Sequence, residues 1–87
     1  MRNKTTVIDA IANIKDDNIR RDVLMQLVGI ITEDYTDGLE NEAITEEENN
    51  PANHANDLVK CVSLTSEEFK QTFYFDFLDD NFQKYFE

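Results

Sequence analysis

The aromatic side chains of this chain lie almost entirely at its carboxy-terminal end. Eight of the nine follow residue 68, and Tyr35 is the ninth. Aromatic residues bury the largest apolar surfaces in a protein core, and a chain of 87 residues builds only a small core. We therefore expect most aromatic residues of the segment 69–86 to pack against the rest of the chain.

The length and composition are those of a single domain spanning residues 1–87. The chain is 40% hydrophobic with two Gly and one Pro, which excludes collagen-like and low-complexity classes. No apolar run approaches the roughly 18 residues of a membrane span, and the polar amino terminus lacks the apolar region of a signal peptide. The single cysteine, Cys61, cannot form an internal disulfide. We expect a cytoplasmic protein that does not contact membranes.

Helical periodicity predicts an all-α fold, a small bundle of three to four helices with an acidic loop between the second and third. Thr6 fits the N-cap of a first helix over about 7–15, and the polar run 16–18 fits a break and a new cap. Apolar residues then cover roughly half the circumference of a second helix, which allows a homodimer. Gly38 predicts the end of this helix in a left-handed conformation. Residues 39–49 form a long connection, typical of a functional or mobile loop.

A third helix is predicted to begin at Asn50 and Pro51, a cap followed by proline in the first turn. Its apolar positions recur at helical spacing and are Ala55, Leu58, Val59 and Val62. The alternative for residues 58–64 is a strand.

The last segment starts with a capping box, Thr65 with Glu68, which predicts a fourth helix from Ser66. The alternating phenylalanines of residues 73–77 would also suit a strand. On a helical wheel, however, the acidic residues fall within about 120° and most aromatic residues fill the remaining arc, with Phe69 on the acidic side.

We therefore predict a continuous helix from Ser66 to about Leu78. In this helix Phe73 and Phe77 are buried and Asp76 is exposed. A break is expected at residues 79–80.

The negative charge is concentrated in the second part of the chain. Residues 1–29 carry five basic and four acidic side chains, whereas residues 30–87 carry three basic and fifteen acidic ones. Residues 33–48 contain eight carboxylates and no base, and blocks of this kind are usually solvated or interact with partners. They are Glu33, Asp34, Asp37, Glu40, Glu42, Glu46, Glu47 and Glu48. The predicted last helix adds an acidic stripe about 28 Å long on one face. This stripe comprises Glu68, Asp76, Asp79, Asp80 and Glu87.

The sequence contains no pattern that supports catalysis or metal binding. A calcium loop with Gly38 at position 6 would place Tyr35 and Ile44 at positions 3 and 12, where carboxylates are required. One histidine and one cysteine do not make a zinc site. On one helix, His54 and Cys61 would lie about 10 Å apart along the axis, too far for a catalytic pair. We expect Cys61 in or near the core, His54 at the surface, and neither enzymatic activity nor a cofactor.

A formal charge of −11 disfavours direct binding to nucleic acid, whose phosphates are recognised by cations. The charge favours instead an acidic module that binds a basic protein partner, such as a nuclease or another nucleic-acid-binding protein, and inhibits it as a nucleic-acid mimic. The candidate partner-binding residues are Glu33, Asp34, Asp37, Glu40, Glu42, Glu46, Glu47, Glu48, Asp76, Asp79 and Asp80.

Two alternatives remain. The acidic surface could serve solubility alone. Alternatively, the chain is a helical regulatory or assembly subunit whose aromatic carboxy-terminal helix docks into a groove of another protein. Binding led by charge weakens steeply with salt, whereas groove docking does not.

In size, acidity and helical make-up, the chain resembles the small inhibitors that phages encode against host nucleases and defence systems. It is similar in the same respects to bacteriocin immunity proteins. The resemblance is one of overall character and implies an inhibitory binding function. It involves no shared residue motif and therefore assigns no functional residues.

Overall fold

The computed structural model describes residues 5–86, and within this range it contains helices and no strand. The helices are α1 Val7–Ala12, α2 Asp17–Glu40, α3 Pro51–Ser63, α4 Ser66–Lys70, α5 Phe73–Phe77 and α6 Asp80–Gln83, followed by a 3₁₀ turn at Lys84–Phe86. The predicted all-α class is confirmed. The number of helices is larger than expected because the carboxy-terminal segment is divided into short pieces.

Polar caps set the starts of the first four helices, as predicted. The Asp9 amide donates to Thr6 Oγ1 (3.2 Å) at the start of α1, and Asp16 accepts from two amides at the start of α2. At the start of α3, the Asn50 side chain accepts from the Asn53 amide, and Pro51 follows as the first helical residue. At the start of α4, Thr65 and Glu68 form the predicted capping box. Each cap satisfies amides that have no partner inside the helix.

Two of these caps also join distant parts of the chain. Thr6 and Thr65 form an isolated antiparallel bridge, in which the Val7 amide donates to Leu64 O (2.8 Å) and the Ser66 amide donates to Thr5 O (2.9 Å). The bridge attaches the start of α1 to the connection between α3 and α4.

The predicted end of α2 at Gly38 is wrong. The helix continues to Glu40, and the residue with a left-handed conformation is Glu42, at φ 60°. Gly38 instead gives space for Ile44, whose side chain would lie 3.3 Å from a Cβ at position 38. The Ala43 amide donates to Gly38 O (2.8 Å), so the connection folds back onto the end of the helix.

The strand alternative for residues 58–64 is wrong, since α3 is helical to Ser63. The apolar pattern predicted for this helix is only partly correct. Cys61 and Val62 are buried, but Val59 is 61% exposed. The face of α3 that points inward is therefore rotated away from Val59.

The predicted continuous helix from Ser66 to Leu78 is also wrong, because the chain breaks after Lys70. The Thr72 hydroxyl donates to the carbonyl of Phe69 (2.7 Å), and Thr72 itself is extended. A hydroxyl that bonds a nearby carbonyl competes with the continuing helix. The predicted break near residues 79–80 is confirmed, with Asp79 as the N-cap of α6.

The break reverses the burial predicted for Phe73 and Phe77 and brings Phe69, which the helical wheel put on the acidic side, into the core. Phe69 is fully buried, whereas Phe73 and Phe77 are 43% and 68% exposed. The predicted exposure of Asp76 is confirmed. The helical wheel failed because it assumed one helix axis throughout the segment.

The core lies where α1, α2, α3 and the carboxy-terminal segment meet. Phe69 is central to it, with ring centroids 5.1 Å from Phe86 and 5.5 Å from Phe75, both in edge-to-face geometry. The buried apolar residues are Val7, Ala10, Ile11, Ile14, Val23, Leu27, Ile31, Cys61, Val62, Phe69, Leu78 and Phe86. Six of the eight aromatic residues of the segment 69–86 thus contribute to the core or pack against it, as expected from the sequence.

We expect Phe69→Ala to lower the free energy of unfolding by about 3–5 kcal/mol, since it leaves a cavity in the core. Phe77→Ala should cost less than about 1 kcal/mol because its ring is largely exposed. Urea denaturation followed by circular dichroism measures both. Similar losses for the two variants would contradict this arrangement of the core.

Candidate protein-binding groove

A groove of about 440 Å³ lies between α2 and α5. Four residues of α2, at positions 30, 33, 34 and 37, line the groove. Their spacing of three, one and three positions places them on one face of the helix. Its lining comprises Ile30, Glu33, Asp34, Asp37, Phe73 and Phe77. We call this set the acidic–aromatic groove.

The turn after α5 fixes the position of that helix beside α2. The Asp79 amide donates to Gln26 Oε1 (2.6 Å), across 53 positions of sequence. The Gln83 side chain donates to Phe75 O (2.9 Å) and Leu78 O (3.0 Å) and so ties α6 to α5. These contacts and the half-buried Tyr74 and Phe75 hold α5 in place, while the rings of Phe73 and Phe77 that line the groove are exposed.

Phe73 and Phe77 form an exposed aromatic pair. Their ring centroids are 6.0 Å apart at an interplanar angle of 76°, and the Phe73 ring also lies 4.2 Å from that of Tyr74. Large apolar side chains that cluster at a surface and are bordered by polar groups are typical of interaction sites. The sequence predicted both residues as core and did not identify this pair.

The surroundings of Asp34 in the groove disfavour its ionised form. Burial raises the pKa of Asp34 above 3.8, and the negative charges of Asp37 and Asp57 raise it further. Asp57 belongs to α3, so the negative region extends from the groove toward that helix. No ion pair within residues 5–86 offsets the charge of Glu33, Asp34 or Asp37.

A polar cluster joins α2 to α3 near this region. The Tyr35 hydroxyl donates to the Asp57 carboxylate, and the Tyr35 ring centroid lies 4.4 Å from that of His54. The hydrogen bond to Asp57, with burial and nearby acids, raises the pKa of Tyr35 to about 12. His54 Nε2 is 2.8 Å from Asn49 Oδ1. His54 lies in the first turn of α3, near a helix start as predicted, and is half-buried by its contact with Tyr35 of α2.

Cys61 is buried as a free thiol, as expected. Burial raises its pKa to about 11, so the reactive thiolate is not formed at neutral pH. The side chain belongs to the buried apolar cluster of the core.

The structure brings together three of the eleven predicted binding residues, Glu33, Asp34 and Asp37. Two others are used in local structure. Glu48 Oε1 accepts from the Thr45 amide and hydroxyl in a turn of the connection, and Asp79 Oδ1 accepts from the Asn81 amide. The remaining six are exposed: Glu40, Glu42, Glu46, Glu47, Asp76 and Asp80.

The acidic stripe predicted along a single last helix is not formed, because its residues belong to three short helices and their caps. Glu68 takes part in the capping box of α4, and Asp79 caps α6. Glu87, predicted as the end of the stripe, lies outside the described residues.

A larger open cleft, of about 1160 Å³, lies between the turn after α1 and α4. It is lined by charges of both signs, including Lys15, Lys70 and Asp16. This mixture shows no preference for a cationic or an anionic partner, so the acidic–aromatic groove is the more distinctive surface.

The described part of the chain contains no group of three or more His, Cys, Asp or Glu side chains that could hold a metal ion. In the same range, no helix is both long and apolar enough to span a bilayer. The fold and the groove define the class of a small helical protein with an acidic and aromatic surface. Comparison with protein families, characterised proteins and solved structures finds no match for the chain.

We expect Tyr35→Phe to lower the free energy of unfolding by about 1 kcal/mol, because the hydrogen bond to Asp57 is lost. Since the pKa of Tyr35 rises from 10.0 to about 12, this contribution is complete below pH 10 and disappears as pH rises through 12.

Urea denaturation measures the loss, and phenol absorbance during alkaline titration follows the ionisation. Tyr74→Phe is the matched control, because burial rather than a hydrogen bond is the main cause that raises the pKa of Tyr74 to about 12. The phenol that is missing from the titration of Tyr35→Phe should be one that titrates near pH 12 in the unsubstituted chain. If the missing phenol titrates near pH 10, the hydrogen bond to Asp57 is contradicted.

We expect Asp34→Asn to raise Tm by about 1–3 °C at neutral pH. The raised pKa of Asp34 means that its ionised form is disfavoured in the folded state, so the native residue reduces stability at neutral pH. Well below pH 3.8 both side chains are uncharged and the difference should disappear. Glu47→Gln removes a charge from the connection and should change Tm less. A lower Tm for Asp34→Asn at neutral pH would contradict the raised pKa of Asp34.

Proposed function

We propose that this protein is a small acidic binding module that captures a basic protein partner through the acidic–aromatic groove and masks the partner's cationic surface. The observation that carries the proposal is the position of three carboxylates, which form no ion pair within residues 5–86, next to two exposed phenylalanines. Carboxylates attract the cationic surface and accelerate encounter, and the aromatic rings offer apolar contact area once the partner is bound.

Two features of the groove that do not stabilise the folded chain support a binding function. Asp34 is held near two other acids, and Phe77 is left 68% exposed to water. Neither arrangement stabilises the isolated chain. A surface that serves solubility alone would account for the charge but not for the exposed rings beside it.

A basic surface on a protein is commonly used to bind nucleic acid. A module that covers such a surface with carboxylates competes with the phosphates, so the proposed effect on the partner is inhibition by mimicry of nucleic acid. The alternative suggested by the sequence, in which the aromatic carboxy-terminal segment docks into a groove of a partner, would use the same exposed rings. We place this activity in the cytoplasm, a reducing compartment that suits a free thiol such as Cys61.

The experiment compares two sets of charge-neutralising substitutions. The groove set is Glu33→Gln, Asp34→Asn and Asp37→Asn, and the matched control set is Glu42→Gln, Glu46→Gln and Glu47→Gln. Proteins captured on the immobilised chain from a lysate of its source cells are eluted with rising salt, and the retained basic protein is purified. Its Kd is then measured against each set, and its binding to DNA is measured with and without the chain.

We expect the groove set to weaken binding about 3- to 150-fold and to flatten its salt dependence, since each exposed ion pair contributes about 0.2–1 kcal/mol. The control set should change Kd little, although it removes the same charge. The chain should also displace DNA from the partner. If the partner binds the groove set and the control set with equal Kd, at low and at high salt, the proposal is overturned.

A further inference from the structure

We infer that the groove accepts one cationic amphipathic α-helix of the partner. In this arrangement apolar side chains of the incoming helix contact Phe73 and Phe77, and its Lys or Arg side chains pair with Glu33, Asp34 and Asp37. The inference rests on the proposed function and specifies the structural element that the groove recognises.

The side chains on both walls of the groove have the same spacing as the side chains on one face of an incoming helix. Glu33 and Asp37 are four residues apart on α2, which places them about 6 Å apart along the helix axis. Phe73 and Phe77 are also four residues apart on α5, and their ring centroids are 6.0 Å apart. A helix presents side chains at the same interval, with cationic and apolar positions on adjacent parts of its surface.

The size of the groove suits side chains rather than a whole domain. Its volume of about 440 Å³ is at the lower end of the range of about 300–1,000 Å³ for small-molecule sites. A few apolar side chains on one face of a helix would fill it, while the backbone of that helix stays outside. Charged side chains would then reach the carboxylates at the edge of the groove.

Charge complementarity selects a cationic helix over the other occupants. Nucleic acid and a second copy of this chain, with its formal charge of −11, are repelled by the carboxylates. Arg20 of such a copy is already bound to its own chain, where it pairs with Asp17 and donates to Ile14 O (2.7 Å). An apolar helix without cations would leave three carboxylates desolvated and unpaired.

The first test uses synthetic peptides with the complete chain. The probe is an amphipathic peptide with leucines at intervals of three and four residues and lysines on both flanks of the leucine face. One control peptide has the same composition in scrambled order, and a second has glutamates in place of the lysines. Binding is followed by NMR amide shifts of the labelled chain.

We expect saturable binding of the probe alone, with a Kd below about 1 mM and the largest shifts in residues 30–37 and 73–77. The absence of saturation, equal binding of the scrambled peptide, or shifts concentrated elsewhere would each overturn the inference. Sedimentation equilibrium of the chain alone tests the second copy, and a dimer that dissociates with Phe77→Ser would overturn it as well.

The second test uses matched apolar variants, Phe77→Ser and Phe73→Ser against Met25→Ser and Val59→Ser. Phe77, Met25 and Val59 are 68%, 63% and 61% exposed, so the substitutions remove similar exposed apolar groups. We expect each phenylalanine variant to weaken probe binding at least about tenfold without changing its salt dependence, and the control variants to have no effect. Circular dichroism monitors folding, and Phe77→Ser alone suffices if Phe73→Ser disrupts α5.

The two proposals fail in different ways. If the groove set weakens binding of the purified basic partner but Phe77→Ser changes neither partner nor probe binding, the helix inference is overturned, and only the capture of the partner by the carboxylates stands. If the groove set leaves partner binding unchanged, the proposed function is overturned, and the cationic character of the docked helix is overturned with it.

Discussion

The break between α4 and α5 is the constraint on which the rest of the structure depends. Phe69 is fully buried against Phe75 and Phe86, and its carbonyl accepts from the Thr72 hydroxyl (2.7 Å), which ends α4 one turn after it starts. With the helix interrupted at that point, the following phenylalanines lie on a new axis. The ring at position 69 enters the core, and those at 73 and 77 remain at the surface.

The same break creates the proposed binding surface. Once α5 has its own direction, the bond between the Asp79 amide and Gln26 places it beside the acidic half of α2. The exposed rings and the carboxylates then share one groove, although they are about 40 positions apart in sequence. Burial and, after it, the charges of Asp37 and Asp57 raise the pKa of Asp34 there, and no cation of the described chain pairs with it.

Local chemistry made the helix starts predictable. Thr6, the run 16–18, Asn50 and Thr65 each offer a side chain to amides within three residues, an interaction that needs no tertiary contact. Helix ends were less predictable. Gly38 suggested the C-terminal end of α2, but its lack of a side chain instead leaves space for Ile44. Glu42 is the residue that takes the left-handed conformation. Thr72, a residue type that favours N-caps, was the one sequence signal of the break after α4.

The sequence by itself determined the all-α class, the starts of α1 to α4, and the concentration of negative charge after residue 30, because these depend on local hydrogen bonds, periodicity and composition. Only the tertiary structure decided which aromatic residues are buried and which carboxylates lie together. Burial of a ring depends on the axis of the short helix that carries it, and that axis is set by contacts such as the one between Gln26 and Asp79. A wheel projection holds the axis constant, so it could not distinguish Phe69 from Phe77 correctly.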